Sequence, residues 1–196
     1  MKSRCAIAAL ILMAGVLPAW ISAAAAPATF DILSELQPER PLKAGEFSWS
    51  PESATEGELT VVIDLKTQLL HVYRGGHEIG LSTVSTGQKG YETPTGMFPI
   101  LEKDLDHYSD SYDLSPMPFM QRLTWDGVAL HGGKVPGYRA SHGCIRLPEA
   151  FAQVLYHETR KGGMVIVAPD WAGTMSTYVV AYDPDPAQLR LEGASR

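Results

Sequence analysis

Apolar residues are concentrated in three short stretches of the chain, at residues 59–65, 69–73 and 79–85. All three stretches are rich in β-branched and aromatic residues, which is typical of strands. Polar or glycine-containing turns separate them, such as RGGH at residues 74–77. Because these connections are short, we predict an antiparallel meander of three strands.

Three later stretches also predict strands. Residues 97–101 follow a turn cluster, and residues 128–131 have the composition of a strand end. Residues 164–168 (MVIVA) form an apolar run that is typical of a buried strand.

One helix is predicted directly after residue 147. Pro148 suits a first helical turn, and Glu149 suits the positive end of a helix. Phe151, Val154 and Leu155 share the predicted apolar face. Arg160 and Lys161 close the predicted helix, and Gly162-Gly163 ends it.

Three segments lack a sustained pattern. Residues 27–57 are rich in proline and predict a linker or extended arm, so that the folded domain would begin near Glu58. Residues 102–118 are polar and predict a long loop, which in a compact domain is typically a lid or a binding loop. Residues 169–196 predict a C-terminal extension, either an extra strand pair or a loose tail.

The first 26 residues have the pattern of an export signal. A short basic start, Lys2 and Arg4, precedes an almost unbroken apolar run at residues 6–17 and small residues at 22–26. The run is too short to span a bilayer comfortably, and Cys5 precedes it, where a lipid-modified cysteine would not lie. We therefore expect an exported protein of the periplasm or cell envelope, without stable membrane insertion after cleavage.

The composition allows one ordinary core, because the chain has 196 residues, 45% of them hydrophobic and 19% charged. Removing residues 1–26 takes away two basic residues, which leaves 14 against 22 acidic ones and moves the net charge from -6 to -8. Such an acidic chain lacks the basic surface that nucleic acids and anionic membranes require. We expect one domain, at residues 58–168, and a neutral, zwitterionic or cationic partner.

Cys144 is the only cysteine once residues 1–26 are removed, because the other is Cys5. Structural cysteines of exported proteins usually occur in pairs. An intrachain disulfide is therefore excluded, which leaves an intermolecular, a buried or a reactive thiol. Free cysteine is among the most buried residue types, so burial without reactivity stays an alternative.

The neighbours of Cys144 can supply the parts of a nucleophilic site. A thiol attacks a carbonyl as the thiolate, so it needs a base and a donor for the oxyanion. His142 lies two residues before the thiol, and His131 precedes a glycine-rich loop that can fold back, but spacing does not choose between them. The amides of Gly143 and Cys144 are candidate oxyanion donors. Arg146 either binds a carboxylate or locks the loop by a salt bridge.

A zinc site is the main competing use of Cys144, His131 and His142. The grouping lacks the doubled CxxC or the HExxH spacing that makes such a site specific. We therefore predict no metal and no cofactor. The remaining histidines are interpreted as surface or ordinary packed residues: His71, His77, His107 and His157.

The string HGGKVPGYRASHGCIRLP at residues 131–148 resembles the active-site signature of the L,D-transpeptidase (YkuD) family. The loop between His131 and Ser141 holds nine residues, shorter than the family's usual pattern. Ordered agreement of several segments over residues 58–168 is more specific than SHGC alone. The other segments that resemble the family are Ile63-Asp64 with residues 69–73, Ser85-Thr86-Gly87, residues 93–98 (TPTGMF) and Met117-Pro118-Phe119.

This resemblance implies a mainly β fold, a YkuD-like sandwich or barrel with one main helix after the catalytic loop. It also implies an exported enzyme that acts on peptidoglycan stem peptides. Cys144 would attack the carbonyl of the third stem residue, release the terminal D-alanine and form a thioester, which an amine of a neighbouring stem resolves.

By the same resemblance, His131 is the base, oriented through the backbone carbonyl of Gly132, and His142 shapes the site. The amides of Gly143 and Cys144 would then form the oxyanion hole. Ser141 and Arg146 would order the loop.

Other functions stay open at this point. Water could replace the amine, which gives an L,D-carboxypeptidase or a crosslink-cutting amidase, and released products would distinguish these activities. A non-catalytic wall-binding module has no reason to keep Cys144, both histidines and Arg146 together.

The aspartates near residues 104–113 suit substrates with free amines, or they only solvate the surface. Neither the type of crosslink nor the oligomeric state follows from the sequence.

Overall fold

The computed structural model describes residues 28–109, 114–171 and 178–180, so the predicted export signal lies outside the described residues. A short 3-10 turn occupies Pro51–Ser53. The strands and the helix are β1 (Ala28–Phe30), β2 (Phe47–Trp49), β3 (Leu59–Asp64), β4 (Leu69–Arg74), β5 (His77–Thr83), β6 (Gly96–Pro99), β7 (Glu102–Tyr108), β8 (Pro116–Arg122), β9 (Ala129–Gly132), β10 (Ile145–Leu147), α1 (Glu149–Glu158), β11 (Met164–Ala168) and β12 (Tyr178–Val180).

The larger sheet has the strand order β2-β5-β4-β3-β11-β6. Strands β3, β4 and β5 pair antiparallel, which confirms the predicted meander. Strand β11 lies parallel to β3 and antiparallel to β6. Its residues are almost all buried, as the apolar run MVIVA predicted.

A second sheet has the order β10-β9-β8-β7, and α1 contacts β8 and β9. The main core lies between the two sheets and the helix. It contains Val61 and Val72 of the larger sheet, Leu130 and Ile145 of the second sheet, and Phe151 of the helix, all fully buried. The fold is therefore mostly β, with two main sheets and one main helix, as the family resemblance implied.

Residues 102–108 form β7 and residues 116–118 begin β8, so the prediction of one long loop over residues 102–118 is wrong. The two strands pair antiparallel from Glu102 opposite Arg122 to Tyr108 opposite Pro116. Strand β7 is the edge strand of its sheet and is largely exposed. An edge strand in water does not need the apolar alternation by which strands are recognised.

The segment before Glu58, which the sequence predicts as a linker or extended arm, also adds a strand to the larger sheet. Strand β2 pairs antiparallel with β5, and the rings of Phe47 and Trp49 lie 5.3 and 5.9 Å from the ring of Phe151. This segment is an arm that packs on the domain.

The helix begins at Glu149, with the predicted first-turn residue Pro148 at its N-cap, and its carboxyl end is satisfied differently from the prediction. The Lys103 ammonium, from β7, donates hydrogen bonds to the carbonyls of Tyr156 and Thr159 at 2.5 and 2.6 Å. A cation at this end compensates the helix dipole. The predicted Arg160 and Lys161 lie beyond the last helical residue, Glu158.

Residues after β11 are described only in part. Trp171 is buried, and its indole nitrogen donates to the Tyr73 hydroxyl at 3.4 Å. Strand β12 pairs with β1 in a separate two-stranded sheet. Within the described ranges, no helix is long and apolar enough to cross a membrane.

The contact between β2 and β5 predicts a specific dependence on Gly80. A Cβ atom at Gly80 would lie 2.6 Å from the Trp49 ring, so Gly80→Ala should lower the free energy of unfolding by about 2 kcal/mol. In a Trp49→Ala background the same change should cost clearly less, because the ring is gone and only the Val72 Cβ, 3.3 Å away, stays close. Urea unfolding of the four proteins measures both costs, and equal costs in the two backgrounds would contradict this packing.

Candidate active site

Cys144 lies where the loop after β9 enters β10. Strands β9 and β10 run parallel, with Leu130 opposite Ile145 and His131 opposite Arg146. Cys144 directly precedes Ile145, so the predicted nucleophile and the predicted base come from two adjacent strands.

The cysteine turn, residues 141–146, is fixed at both ends by backbone hydrogen bonds to residues 85–88. Ser85 and Arg146 exchange two amide-to-carbonyl bonds, both 3.0 Å long. The Thr86 carbonyl accepts from the Ser141 amide at 3.1 Å, and the Gln88 amide donates to the Ser141 carbonyl at 3.0 Å. The Ser85-Thr86-Gly87 motif therefore pairs with both ends of the cysteine turn.

Two hydroxyl groups hold the turn from inside. The buried Thr93 hydroxyl accepts from the Gly87 amide at 2.9 Å and donates to the Gly143 carbonyl at 2.8 Å. The Ser141 hydroxyl donates to the Cys144 carbonyl at 2.5 Å and accepts from the Gly143 amide at 3.2 Å. Gly143 has φ +115, which favours glycine at this position. The TPTG motif therefore acts on the cysteine turn through Thr93.

The Cys144 thiol is mostly buried. It donates a hydrogen bond to the Gly127 carbonyl, 3.4 Å from the sulfur, and packs beside Met117 and Ala129. Burial raises the pKa of the thiol above its ordinary range, although the Ala129 amide and the charge of Arg146 act in the opposite direction. The resting sulfur is therefore protonated at neutral pH.

His131 is 7% exposed, and its Nδ1 lies 2.9 Å from the Gly132 carbonyl. A carbonyl can only accept, so Nδ1 carries the hydrogen and Nε2 is the basic nitrogen. Burial lowers the pKa of His131 to about 4, with the charges of Arg146 and His107 lowering it further and the Gly132 hydrogen bond opposing the shift. His131 is therefore neutral at physiological pH.

Cys144 and His131 line one cavity of about 570 Å³ and rest as a neutral thiol and a neutral imidazole. An ion pair of thiolate and imidazolium would require both pKa values to shift in the other direction. The arrangement suits general-base chemistry, in which the proton leaves the sulfur as the thiol attacks.

His142 occupies a different environment from His131. It is exposed, lines the cavity and meets the Tyr91 ring edge-on at a centroid distance of 4.6 Å. The positive φ of Gly143 interrupts strand geometry, so alternation does not place His142 and Cys144 on one face.

Arg146 is held by its backbone, through Ser85, and not by a salt bridge to any described carboxylate. Its guanidinium lies at the cavity, where Lys134 is a second cation and Arg122 a third, the latter bonded to Glu102 at 2.7 Å. Asp126 is the one carboxylate among the described lining residues. The cavity therefore has an excess of positive charge, although the chain is acidic.

Sequence reasoning missed three groups of the cavity: the Gly127 carbonyl, Asp126 and His107. His107 was interpreted as a surface or packed residue, but it lies on the cavity wall. No local pattern marks these residues, because their positions depend on how β7, β8 and β9 pair. Among the described residues, no three His, Cys, Asp or Glu side chains are grouped so as to hold a metal ion.

Comparisons with known proteins identify a family and similar solved structures. The model of the YkuD family, the L,D-transpeptidase catalytic domain, matches residues 58–167. A solved L,D-transpeptidase from Stackebrandtia nassauensis is 31% identical, with a TM-score of 0.53, over 62% of this chain and 60% of that chain. One from Xylanimonas cellulosilytica is 28% identical, with a TM-score of 0.52, over 58% and 61%. One from Mycobacterium smegmatis is 25% identical, with a TM-score of 0.53, over 57% and 58%.

The chain thus spans less than two thirds of the length of these solved structures. No curated protein sequence matches it.

Burial of neutral His131 predicts acid sensitivity of the fold. Its pKa is about 4 in the folded protein and 6.5 ordinarily, so the unfolded chain binds this proton first as the pH falls. The resulting stability is fully present above pH 6.5 and is lost as the pH falls through about 4. Between pH 7 and pH 4 the wild type should lose about 3 kcal/mol more of its unfolding free energy than His131→Asn.

Urea unfolding at both pH values measures this difference. His157→Asn, at an exposed helix position, serves as the control and should follow the wild type. Equal losses in the wild type and His131→Asn would show that His131 is not buried in its neutral form.

Proposed function

Because the family match covers more than half of the chain, the protein belongs to the YkuD family of L,D-transpeptidase catalytic domains, and we propose that it is a cysteine transpeptidase of the cell wall. It acylates Cys144 with a peptidoglycan stem peptide, releases the terminal D-alanine and transfers the acyl group to an amine. The observation that carries the proposal is that Cys144, directly before β10, and His131, on the adjacent strand β9, line one cavity.

Acylation begins from the neutral pair. His131 Nε2 takes the thiol proton while the Cys144 sulfur attacks the carbonyl of the third stem residue, so a C–S bond forms. The Gly132 carbonyl, 2.9 Å from Nδ1, stabilises the imidazolium. When the intermediate collapses, the C–N bond breaks and His131 returns the proton to the departing D-alanine amine.

The oxyanion of this intermediate needs backbone donors near the sulfur. The Gly143 amide already donates to the Ser141 hydroxyl at 3.2 Å. This contact supports the Cys144 amide as the principal donor, with the Gly143 amide shared between the oxyanion and Ser141. Ser141 and Thr93 then keep the turn in place while the charge develops.

The charge of the cavity supports an anionic donor. Stem peptides carry carboxylates, and the guanidinium of Arg146 is well suited to bind one of them. Lys134 adds a second positive charge at the cavity. His142 and Tyr91, at the exposed side, shape the entrance for the peptide.

Resolution of the thioester defines the reaction type. An amine of a neighbouring stem gives a crosslink, whereas water gives an L,D-carboxypeptidase product. The enzyme acts outside the cytoplasmic membrane, in the periplasm or envelope, which the export-signal pattern of residues 1–26 supports.

Intact-mass spectrometry with purified disaccharide tetrapeptide tests the acyl-enzyme directly. The wild type should gain the mass of the tripeptide acyl group, and Cys144→Ala should gain none. His131→Ala should slow acylation by roughly 10²- to 10⁴-fold, because the base is removed. His157→Ala should acylate at the wild-type rate.

Muropeptide products from the same mixtures distinguish the reactions. Crosslinked dimers support the transpeptidase, and tripeptides alone support a carboxypeptidase. An adduct that persists in Cys144→Ala, or no adduct in the wild type, would contradict the proposed role of the thiol.

A further inference from the structure

His107 faces the reaction cavity from the β7–β8 hairpin. It lies directly opposite Met117 in the antiparallel ladder, and both residues line the cavity. Directly opposed residues of an antiparallel pair project to the same face of a sheet. The hairpin therefore carries an imidazole into the cavity that contains Cys144 and His131.

The backbone of Phe119 explains why Asp104 accompanies His107. Phe119 has φ +57, in the left-handed region, which interrupts the alternation of β8. As a result Met117 and Met120, three residues apart, both line the cavity. Asp104 lies opposite Met120, and its carboxylate lies 3.3 Å from His107 Nδ1.

This contact orients the His107 ring. A carboxylate can only accept a hydrogen bond, so His107 Nδ1 carries the hydrogen and donates it to Asp104. Nε2 is then the basic nitrogen. The His107 side chain is 19% exposed and that of Asp104 46% exposed, so this imidazole stays closer to water than His131 does. When it is protonated, His107 lowers the pKa of His131, so the two rings lie within electrostatic range of each other.

His131 is poorly suited to deprotonate an acceptor ammonium ion before it attacks. A primary alkylamine arrives as an ammonium ion, with a pKa near that of lysine, about 10.4. It is nucleophilic only after it loses a proton. In acylation the proton leaves the sulfur only as the thiol attacks, whereas the ammonium must lose a proton before it can attack. His131, with a pKa of about 4, is too weak a base to hold a proton taken before the attack.

We infer that His107, oriented by Asp104, removes the proton from the acceptor ammonium before the amine attacks the acyl-enzyme. The inference rests on the proposed function and extends it to a second base at the same site. It assigns the two steps of transfer to two histidines on different strands, β7 and β9.

Transfer to the amine uses both histidines. Neutral His107 takes one proton from the ammonium at Nε2. The free amine attacks the thioester carbonyl, forming a C–N bond, and His131 takes a second proton from that nitrogen. The C–S bond then breaks, the electron pair leaves with the Cys144 sulfur, and His131 returns its proton to the sulfur. His107 releases its proton to solvent.

Water and amines that are already neutral do not need this step. Methoxyamine is unprotonated at neutral pH, whereas ethylamine, with the same number of heavy atoms, is an ammonium ion. Loss of the second base should therefore affect the two amines differently. A merely structural role for His107 would affect both equally.

The test uses the full chain, acylated with disaccharide tetrapeptide, and measures amide formation with ethylamine and with methoxyamine at neutral pH. His107→Gln should lower the ethylamine rate roughly 10- to 100-fold and leave acylation and the methoxyamine rate within about twofold. Asp104→Asn should lower the ethylamine rate by a smaller factor, because the ring loses its orienting partner. His157→Gln is the matched control and should behave as the wild type.

A parallel fall for both amines, or no fall for either, would overturn the inference. A second variant, His107→Asn, guards against a particular effect of glutamine and should show the same selective loss. If the wild type forms no acyl-enzyme at all, the proposed function itself fails, and the role of His107 falls with it.

Discussion

The backbone pairing around Cys144 is the constraint on which the site depends. Ser85, Thr86 and Gln88 hydrogen-bond to the loop from one side, and Thr93 holds the Gly143 carbonyl from inside. These bonds satisfy polar groups that a buried turn would otherwise leave unpaired, at a cost of about 1–3 kcal/mol each. The position of the proposed nucleophile is therefore fixed by backbone pairing and by the Thr93 hydroxyl.

The same burial sets the chemistry. An enclosed site raises the pKa of the thiol and lowers that of His131, so neither group carries charge at rest. In the proposed reaction, charge develops only as a carbonyl is attacked, beside the Gly132 carbonyl that accepts from His131 Nδ1. In the same proposal Arg146 and Lys134, which line the cavity, attract an anionic substrate without an ion pair at the reacting atoms.

Sequence patterns predicted the parts of the molecule that depend on local order, namely the meander, β11 and the cysteine turn. They did not predict β7, because an exposed edge strand has no apolar alternation. The cavity position of His107 depends on its pairing with Met117 and on the left-handed backbone of Phe119, neither of which leaves a local signal. For Arg146 the sequence left two roles open, and the structure shows no salt bridge to a described carboxylate.

The resting state of the thiol tests the neutral-pair mechanism most directly. The rate of Cys144 alkylation by iodoacetamide should be measured against pH in the wild type and in His131→Ala. A neutral pair predicts that alkylation is slow near pH 7 and rises only above the ordinary thiol range, with the same shape in both proteins. A plateau of fast alkylation below pH 7 that disappears in His131→Ala would reveal a preformed thiolate–imidazolium pair and contradict it.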